Sequence, residues 1–67
     1  MNYSSKNLIK LLKERGWQLD RIKGSHHVFY HPKENKAVIV PVHGNLDLAK
    51  GTFFSILKDA GIDREDV

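Results

Sequence analysis

Apolar residues near the start of the chain recur at spacings of three and four, which predicts an amphipathic helix. The apolar positions are Leu8, Ile9, Leu11 and Leu12. Ser4 or Ser5 can cap this helix, because a serine hydroxyl accepts a hydrogen bond from a first-turn N–H. Gly16 ends it, since a residue without Cβ readily takes the left-handed conformation just beyond a helix. We predict a helix over residues 5–15.

Three short segments rich in β-branched and aromatic residues follow, and they predict three strands. The predicted strands cover residues 17–22, residues 26 or 27 to 31, and residues 36–42. In the first, Trp17, Leu19 and Arg21 share one parity. In the third, the unbroken apolar run of residues 37–40 suggests substantial burial. Turn residues after Lys23 and at 32–35 separate the strands, so consecutive strands should pair antiparallel.

A second helix is predicted from about Lys50, with Gly61 at its end and Asp63 capping a last short turn. Its inward-facing residues should be Phe53, Ile56, Leu57 and Ala60. The order is helix, three strands, helix. We therefore predict an α+β fold in which a three-stranded antiparallel sheet has two helices on one face and solvent on the other. Residues 1–67 form one domain, since 67 residues leave no room for a second.

Composition narrows the function classes. The chain has no cysteine, which excludes a disulfide framework and a thiolate metal site. We find no signal peptide and no apolar run near the ~20 residues of a membrane span, so we expect a cytoplasmic protein without membrane contact. The net charge is +3, and four of the last nine residues are acidic, so the remaining body is more basic. That charge favours phosphate-rich partners, and the alternative is a merely solvated lysine surface.

The stretch Gly24-Ser25-His26-His27 carries the candidate chemistry. Histidine is the side-chain type whose unperturbed pKa, about 6.5, suits proton transfer near neutral pH. The Gly-Ser turn brings backbone N–H groups near a place where an anion can sit. Neighbouring strand residues point to opposite faces, so the two rings cannot share one core. The alternative is a pair of ordinary strand histidines, satisfied by water or backbone.

Other candidate residues support phosphate binding more than metal binding. Lys23, Lys36 and Lys50 are predicted to surround the histidine turn, and Ser25 to hydrogen-bond backbone or a phosphate oxygen. The four histidines, at 26, 27, 31 and 43, lack the spacing of a structural zinc site, so we predict no metal and no cofactor. Phe53 and Phe54 are consecutive on a helix, so one of them is a candidate patch for a protein partner.

Taken together, the residues resemble the HicA toxin family of toxin–antitoxin modules over nearly the whole chain. The matching pieces are Leu11-Leu12 with Gly16-Trp17, Lys23-Gly24-Ser25-His26-His27, His31-Pro32, Val40-Pro41 with His43, Lys50-Gly51-Thr52, and Ile56-Leu57-Lys58 with Ala60-Gly61. The resemblance implies a double-stranded-RNA-binding-domain-like fold. It also implies a ribosome-independent mRNA endonuclease that a HicB antitoxin silences by covering the active site. The family's catalytic histidine follows Gly-Ser, which implies His26, with His27 as the alternative.

The chemistry of a metal-free RNA cleaver can be argued from these residues. A neutral His26 would remove the proton of the RNA 2′-hydroxyl. Lys23 and the Gly24-Ser25 backbone would stabilise the charge that builds on the phosphorane. His27, a lysine or water would protonate the leaving oxygen. Two other interpretations stay open: a non-catalytic RNA-binding module, in which His26 only contacts phosphate, and a protein-interaction domain that uses the Phe53-Phe54 helix.

Overall fold

The computed structural model describes residues 2–44 and 46–66. The elements are α1 (Ser5–Glu14), β1 (Gln18–Lys23), β2 (His26–His31), β3 (Lys36–Pro41), α2 (Lys50–Asp59) and a short 3-10 turn (Arg64–Asp66). The strands lie in the order β1-β2-β3, and both neighbouring pairs are antiparallel. The predicted α+β order is confirmed. No helix in the described ranges is long and apolar enough to cross a membrane.

Local signals define both ends of α1. The Ser4 hydroxyl accepts a hydrogen bond from the Asn7 N–H at 3.1 Å, as a helix cap does. At the other end Gly16 has φ +92°, and the N–H of Trp17 donates to the Leu12 carbonyl at 3.1 Å. This bond turns the chain back across the last helical turn and satisfies a terminal carbonyl. The predicted cap and terminator of α1 are both confirmed.

A bulge in β1 makes its predicted side-chain parity wrong. Leu19 pairs with Phe29, but Arg21 pairs with Val28, so Asp20 is an extra residue in the ladder. An inserted residue reverses the faces of all that follows it. Leu19 therefore lies on the helix-facing side of the sheet and Arg21 on the other. All six residues of β1 are exposed, so the two helices do not cover this edge strand.

The apolar run of β3, predicted to be substantially buried, is buried only at alternate positions. Val38 and Val40 are buried, whereas Ala37 and Ile39 are exposed. The alternation arises because helices cover one face of the sheet and nothing in the described structure covers the other. We call the uncovered side the open face. Residue 42, predicted as the strand's last, lies just beyond its end at Pro41.

The core lies between the covered face of the sheet and the two helices. It contains Leu8, Leu12, Trp17, Phe29, Val38, Val40, Phe53, Leu57 and Ile62. In α2, Phe53 and Leu57 are buried, and Ile56 and Ala60 pack partly buried against the core, as predicted. Gly61, with φ +73°, follows α2, and the Asp63 carboxylate accepts from the Glu65 N–H at 3.3 Å in the last turn. The helix layer therefore supports β2 and β3, and it is on β2 that the two candidate histidines lie.

Candidate active site

The two-residue turn Gly24-Ser25 joins β1 to β2 and fixes the position of the histidine pair. Lys23 pairs directly with His26 across this turn. Gly24 has φ +60°, whereas Ser25 has no positive φ, which is the pattern of a tight hairpin turn with glycine at its first central position. A Cβ at Gly24 would meet nothing within 4 Å. Glycine is therefore required by the backbone conformation of the turn and not by close packing.

The end of β3 lies beside the same turn. The Val42 N–H donates to the Ser25 carbonyl at 2.7 Å, and Pro41 pairs with His26. This bond holds the turn against the end of β3, and the exposed His43 follows two residues beyond Pro41. One end of the sheet thus brings together the turn, the histidine pair and the start of the connection to α2.

The two rings of the pair face opposite sides of the sheet, as strand alternation predicts. His26 lies on the open face and is exposed. His27 pairs with the fully buried Val40, so it lies on the helix-facing side, and it is half-buried. Its Nδ1 is buried and has no hydrogen-bond partner in the described structure. A polynucleotide can reach the exposed His26 directly, whereas the half-buried His27 has one enclosed nitrogen without a partner in the described structure.

The three candidate lysines are not gathered around the turn. Lys23 is exposed directly opposite His26. Lys36, however, pairs with His31 at the other end of β2, about 17 Å along the strand from His26 at 3.4 Å per residue. The prediction that Lys36 lies beside the histidine turn is wrong, because the β2–β3 register places it at the opposite end. Lys50 is exposed at the first position of α2, in the helix layer.

His31 has a structural environment that the sequence did not reveal. Its Nδ1 accepts a hydrogen bond from the Glu34 N–H at 3.2 Å. The proton therefore sits on Nε2, which donates to the Arg15 carbonyl at 3.0 Å. The ring also packs edge-on to Trp17, with centroids 5.2 Å apart. His31 thus joins the end of α1 to the β2–β3 turn and has no free nitrogen for chemistry.

Of the consecutive phenylalanines of α2, one is buried and the other is left partly exposed, as predicted. Phe53 is fully buried, and Phe54 is partly buried. Tyr3 packs edge-on against both rings. The Arg64 guanidinium lies over the Phe54 ring at 4.1 Å from its centroid. Phe54 also lines a surface cavity together with Lys58 and Ile62, so part of the ring is open to a partner.

Charge at the candidate site comes mainly from Lys23. Arg21, farther along β1, forms an ion pair with Asp20 at the bulge. Lys23 has no ion-pair partner among the described residues. Nor do any three histidine, aspartate or glutamate side chains in the described ranges form a group that could hold a metal ion. The arrangement offers an exposed imidazole, an unpaired ammonium group and the backbone of a tight turn within one small surface.

Comparison with known proteins gives one finding. A family model described as the HicA toxin of bacterial toxin–antitoxin modules matches residues 5–62. The match begins with α1, ends at the buried Ile62 after α2, and includes the histidine turn. The comparison with curated proteins returned no match.

Proposed function

This chain belongs to the HicA toxin family and is thus the toxin of a toxin–antitoxin system, and from this premise we propose that it cleaves mRNA without a metal ion. The observation that carries the proposal is the placement of His26. Its ring is exposed on the open face, directly opposite Lys23 and next to the Gly24-Ser25 turn. Family membership supports the general activity, and the geometry supports this surface as its location.

The proposed reaction uses the 2′-hydroxyl of the substrate as its nucleophile. His26 removes the hydroxyl proton, a contribution of roughly 10²–10⁴-fold for a general base. The 2′-oxygen attacks the adjacent phosphorus and the bond to the 5′-oxygen breaks, which leaves a 2′,3′-cyclic phosphate and a 5′-hydroxyl. Lys23 and the N–H groups of the turn stabilise the charge on the phosphorane. A lysine or water donates the proton that the departing oxygen needs; His27, the other predicted donor, faces the opposite side of the sheet from His26.

His27 is the alternative general base, and the structure gives each ring one advantage. The exposed His26 reaches a polynucleotide without rearrangement of the protein. The half-buried His27 is packed on the helix-facing side of the sheet, and its enclosed Nδ1 lacks a partner in the described structure. Orientation by packing favours catalysis because a positioned base loses less freedom in the transition state. Substitution of each ring separately distinguishes the two.

The proposed partners follow from the same surface. The substrate is mRNA, so the toxin acts in the cytoplasm. The second partner is a HicB-type antitoxin, and a protein that covered His26 and Lys23 would exclude the substrate from the proposed base. The remaining candidate RNA-binding residues are Gly24, Ser25, His27, Lys36 and Lys50. Of these, Lys36 would contact RNA at a site separate from the turn.

The test is cleavage of a defined mRNA by the purified chain in the presence of a chelator. Wild type is compared with His26→Ala and His27→Ala, and His43→Ala is the matched control, because His43 is an exposed histidine close to the same end of the sheet. We expect the base variant to lose roughly 10²–10⁴-fold in cleavage rate while it keeps its RNA affinity. His43→Ala should cleave like wild type.

The products identify the mechanism. Fragments should carry 2′,3′-cyclic phosphate and 5′-hydroxyl ends. A strict requirement for Mg²⁺, or fragments with 3′-hydroxyl and 5′-phosphate ends, would overturn it. A wild-type chain that binds RNA and never cuts it would instead support the non-catalytic RNA-binding module.

A further inference from the structure

The open face combines aromatic, apolar and basic side chains in a regular arrangement. The central strand contributes His26, Val28 and Tyr30 to this face, since alternate residues of a strand share a side. β3 contributes Ile39 next to Val28, and β1 contributes Arg21 and Lys23 on the other side. No element in the described ranges covers this surface. Two basic side chains on β1 therefore lie beside the row of side chains on β2. That row has the apolar Val28 in its middle and an aromatic ring, His26 or Tyr30, at each end.

Tyr30 is fixed in place on this face. Its hydroxyl donates to the Asn35 side-chain oxygen at 2.9 Å, so the far end of the ring is tied to the β2–β3 turn. The residue is nevertheless 37% exposed. Tyr30 and His26 are about 14 Å apart along the strand. Val28 lies between them and is buried, and its neighbour Ile39 on β3 is 54% exposed. The Tyr30 ring is thus held in one position beside apolar side chains, where a planar group such as a base can stack on it.

The charge of the two basic side chains on β1 fits a phosphate backbone. The Lys23 ammonium has no ion-pair partner in the described part of the chain, and Arg21 is engaged by Asp20 alone. A second basic surface, on α1, carries Lys6, Lys10 and Lys13. The groove there is completed by Ile9 and Glu14 and has no aromatic ring. Of these two surfaces, the open face alone combines cations with aromatic rings, and such a combination binds unpaired bases as well as phosphates.

We propose that the open face is a platform for single-stranded RNA, on which Tyr30 stacks against a base while Arg21 and Lys23 contact phosphates. The proposal rests on the proposed function for its substrate class, RNA, and adds the strandedness and the residues that select it. A duplex keeps its bases stacked on each other and cannot offer them to Tyr30. A single strand lying along β2 also passes over His26, the proposed base.

The test measures binding separately from cleavage. A fluorescently labelled 2′-O-methyl RNA, which lacks the nucleophilic hydroxyl, is titrated with the full chain as a single strand and as a duplex. The single strand should bind more tightly. Tyr30→Leu, which keeps an apolar side chain but removes the ring, should weaken single-strand binding by roughly 5–150-fold, the equivalent of a stacked base.

Three variants serve as comparisons. Tyr30→Phe keeps the ring and should bind nearly as tightly as wild type. Arg21→Gln should weaken binding and reduce its salt dependence, because one phosphate contact is lost. Lys10→Gln, on α1 in the helix layer, should leave single-strand affinity unchanged. Thermal unfolding of each variant confirms that it is folded.

The outcomes distinguish this proposal from the nuclease proposal. If Tyr30→Leu binds the single strand like wild type, the platform is wrong, whether or not the chain cleaves RNA. The platform is also wrong if the duplex binds more tightly than the single strand and Lys10→Gln weakens duplex binding. It is wrong as well if Tyr30→Leu changes only the binding of an antitoxin protein. If single-strand binding depends on Tyr30 but unmodified RNA is never cut, the platform stands and the nuclease proposal fails.

Discussion

Replacement of Gly16 by alanine tests how the fold joins α1 to the β2–β3 turn. Gly16 has φ +92°, and a Cβ there would lie 3.1 Å from His31 Nε2. That nitrogen donates to the Arg15 carbonyl at 3.0 Å, and its ring packs against Trp17. Gly16→Ala therefore imposes two costs, one on the backbone and one on the position of the His31 ring.

The size of each cost follows from the contacts. A non-glycine residue in a left-handed conformation costs about 1–2 kcal/mol. Displacement of the ring weakens a hydrogen bond worth about 0.5–1.5 kcal/mol and an aromatic contact worth about 0.5–1.5 kcal/mol. We expect Gly16→Ala to lower the free energy of unfolding by about 2–5 kcal/mol, the sum of these ranges. A domain of this size has a total of only about 3–10 kcal/mol.

Gly61→Ala is the matched control. Gly61 also follows a helix and has φ +73°, but a Cβ there would meet nothing within 4 Å. It should show the backbone cost alone, about 1–2 kcal/mol. Urea unfolding followed by circular dichroism measures both variants, and the difference should be about 1–3 kcal/mol, from the two ring contacts. In a His31→Ala background the difference should vanish. Equal destabilisation by the two substitutions in the wild-type background would refute the role assigned to His31.

Two further substitutions test the helix cap and the core. Ser4→Ala removes the hydroxyl that accepts from the Asn7 N–H and should lower the free energy of unfolding in urea by about 1 kcal/mol. Ser4→Asp keeps an acceptor and should retain most of that stability. Equal stability of the two variants would contradict the role of Ser4 as a cap. Leu12→Ala empties a fully buried site and should cost about 2–5 kcal/mol. Ile39→Ala, on the open face, should cost much less. Similar losses for Leu12 and Ile39 would mean that the open face is covered.

Features that depend on neighbouring residues could be predicted from the sequence. The caps of α1 at Ser4 and Gly16, the end of α2 at Gly61 and the glycine turn before His26 all act within a few residues. Their physical causes, a side-chain acceptor or a backbone that needs positive φ, are readable locally. The order of elements and the opposite orientation of His26 and His27 followed from them.

Features that depend on register or on contacts distant in sequence could not be predicted in this way. The bulge at Asp20 places Leu19 and Arg21 on opposite faces, although both have the same parity. Lys36 lies far from the histidine turn because the register of β2 with β3 is set by the whole hairpin. The bond between His31 and Arg15 joins residues 16 apart. Each of these three features depends on how the sheet and helices pack, and a local sequence pattern does not predict that packing.

The central claim is that an imidazole on β2 activates the 2′-hydroxyl of RNA. The most direct measurement compares two oligonucleotides of one cleaved sequence, both in chelator. One is unmodified, and the other has a single 2′-deoxy residue immediately 5′ of the scissile phosphate. The account predicts that the unmodified strand is cut and the deoxy strand remains intact at that position, although it binds equally well. Cleavage of both strands at the same phosphate would contradict the account, because the proposed nucleophile would then be unnecessary.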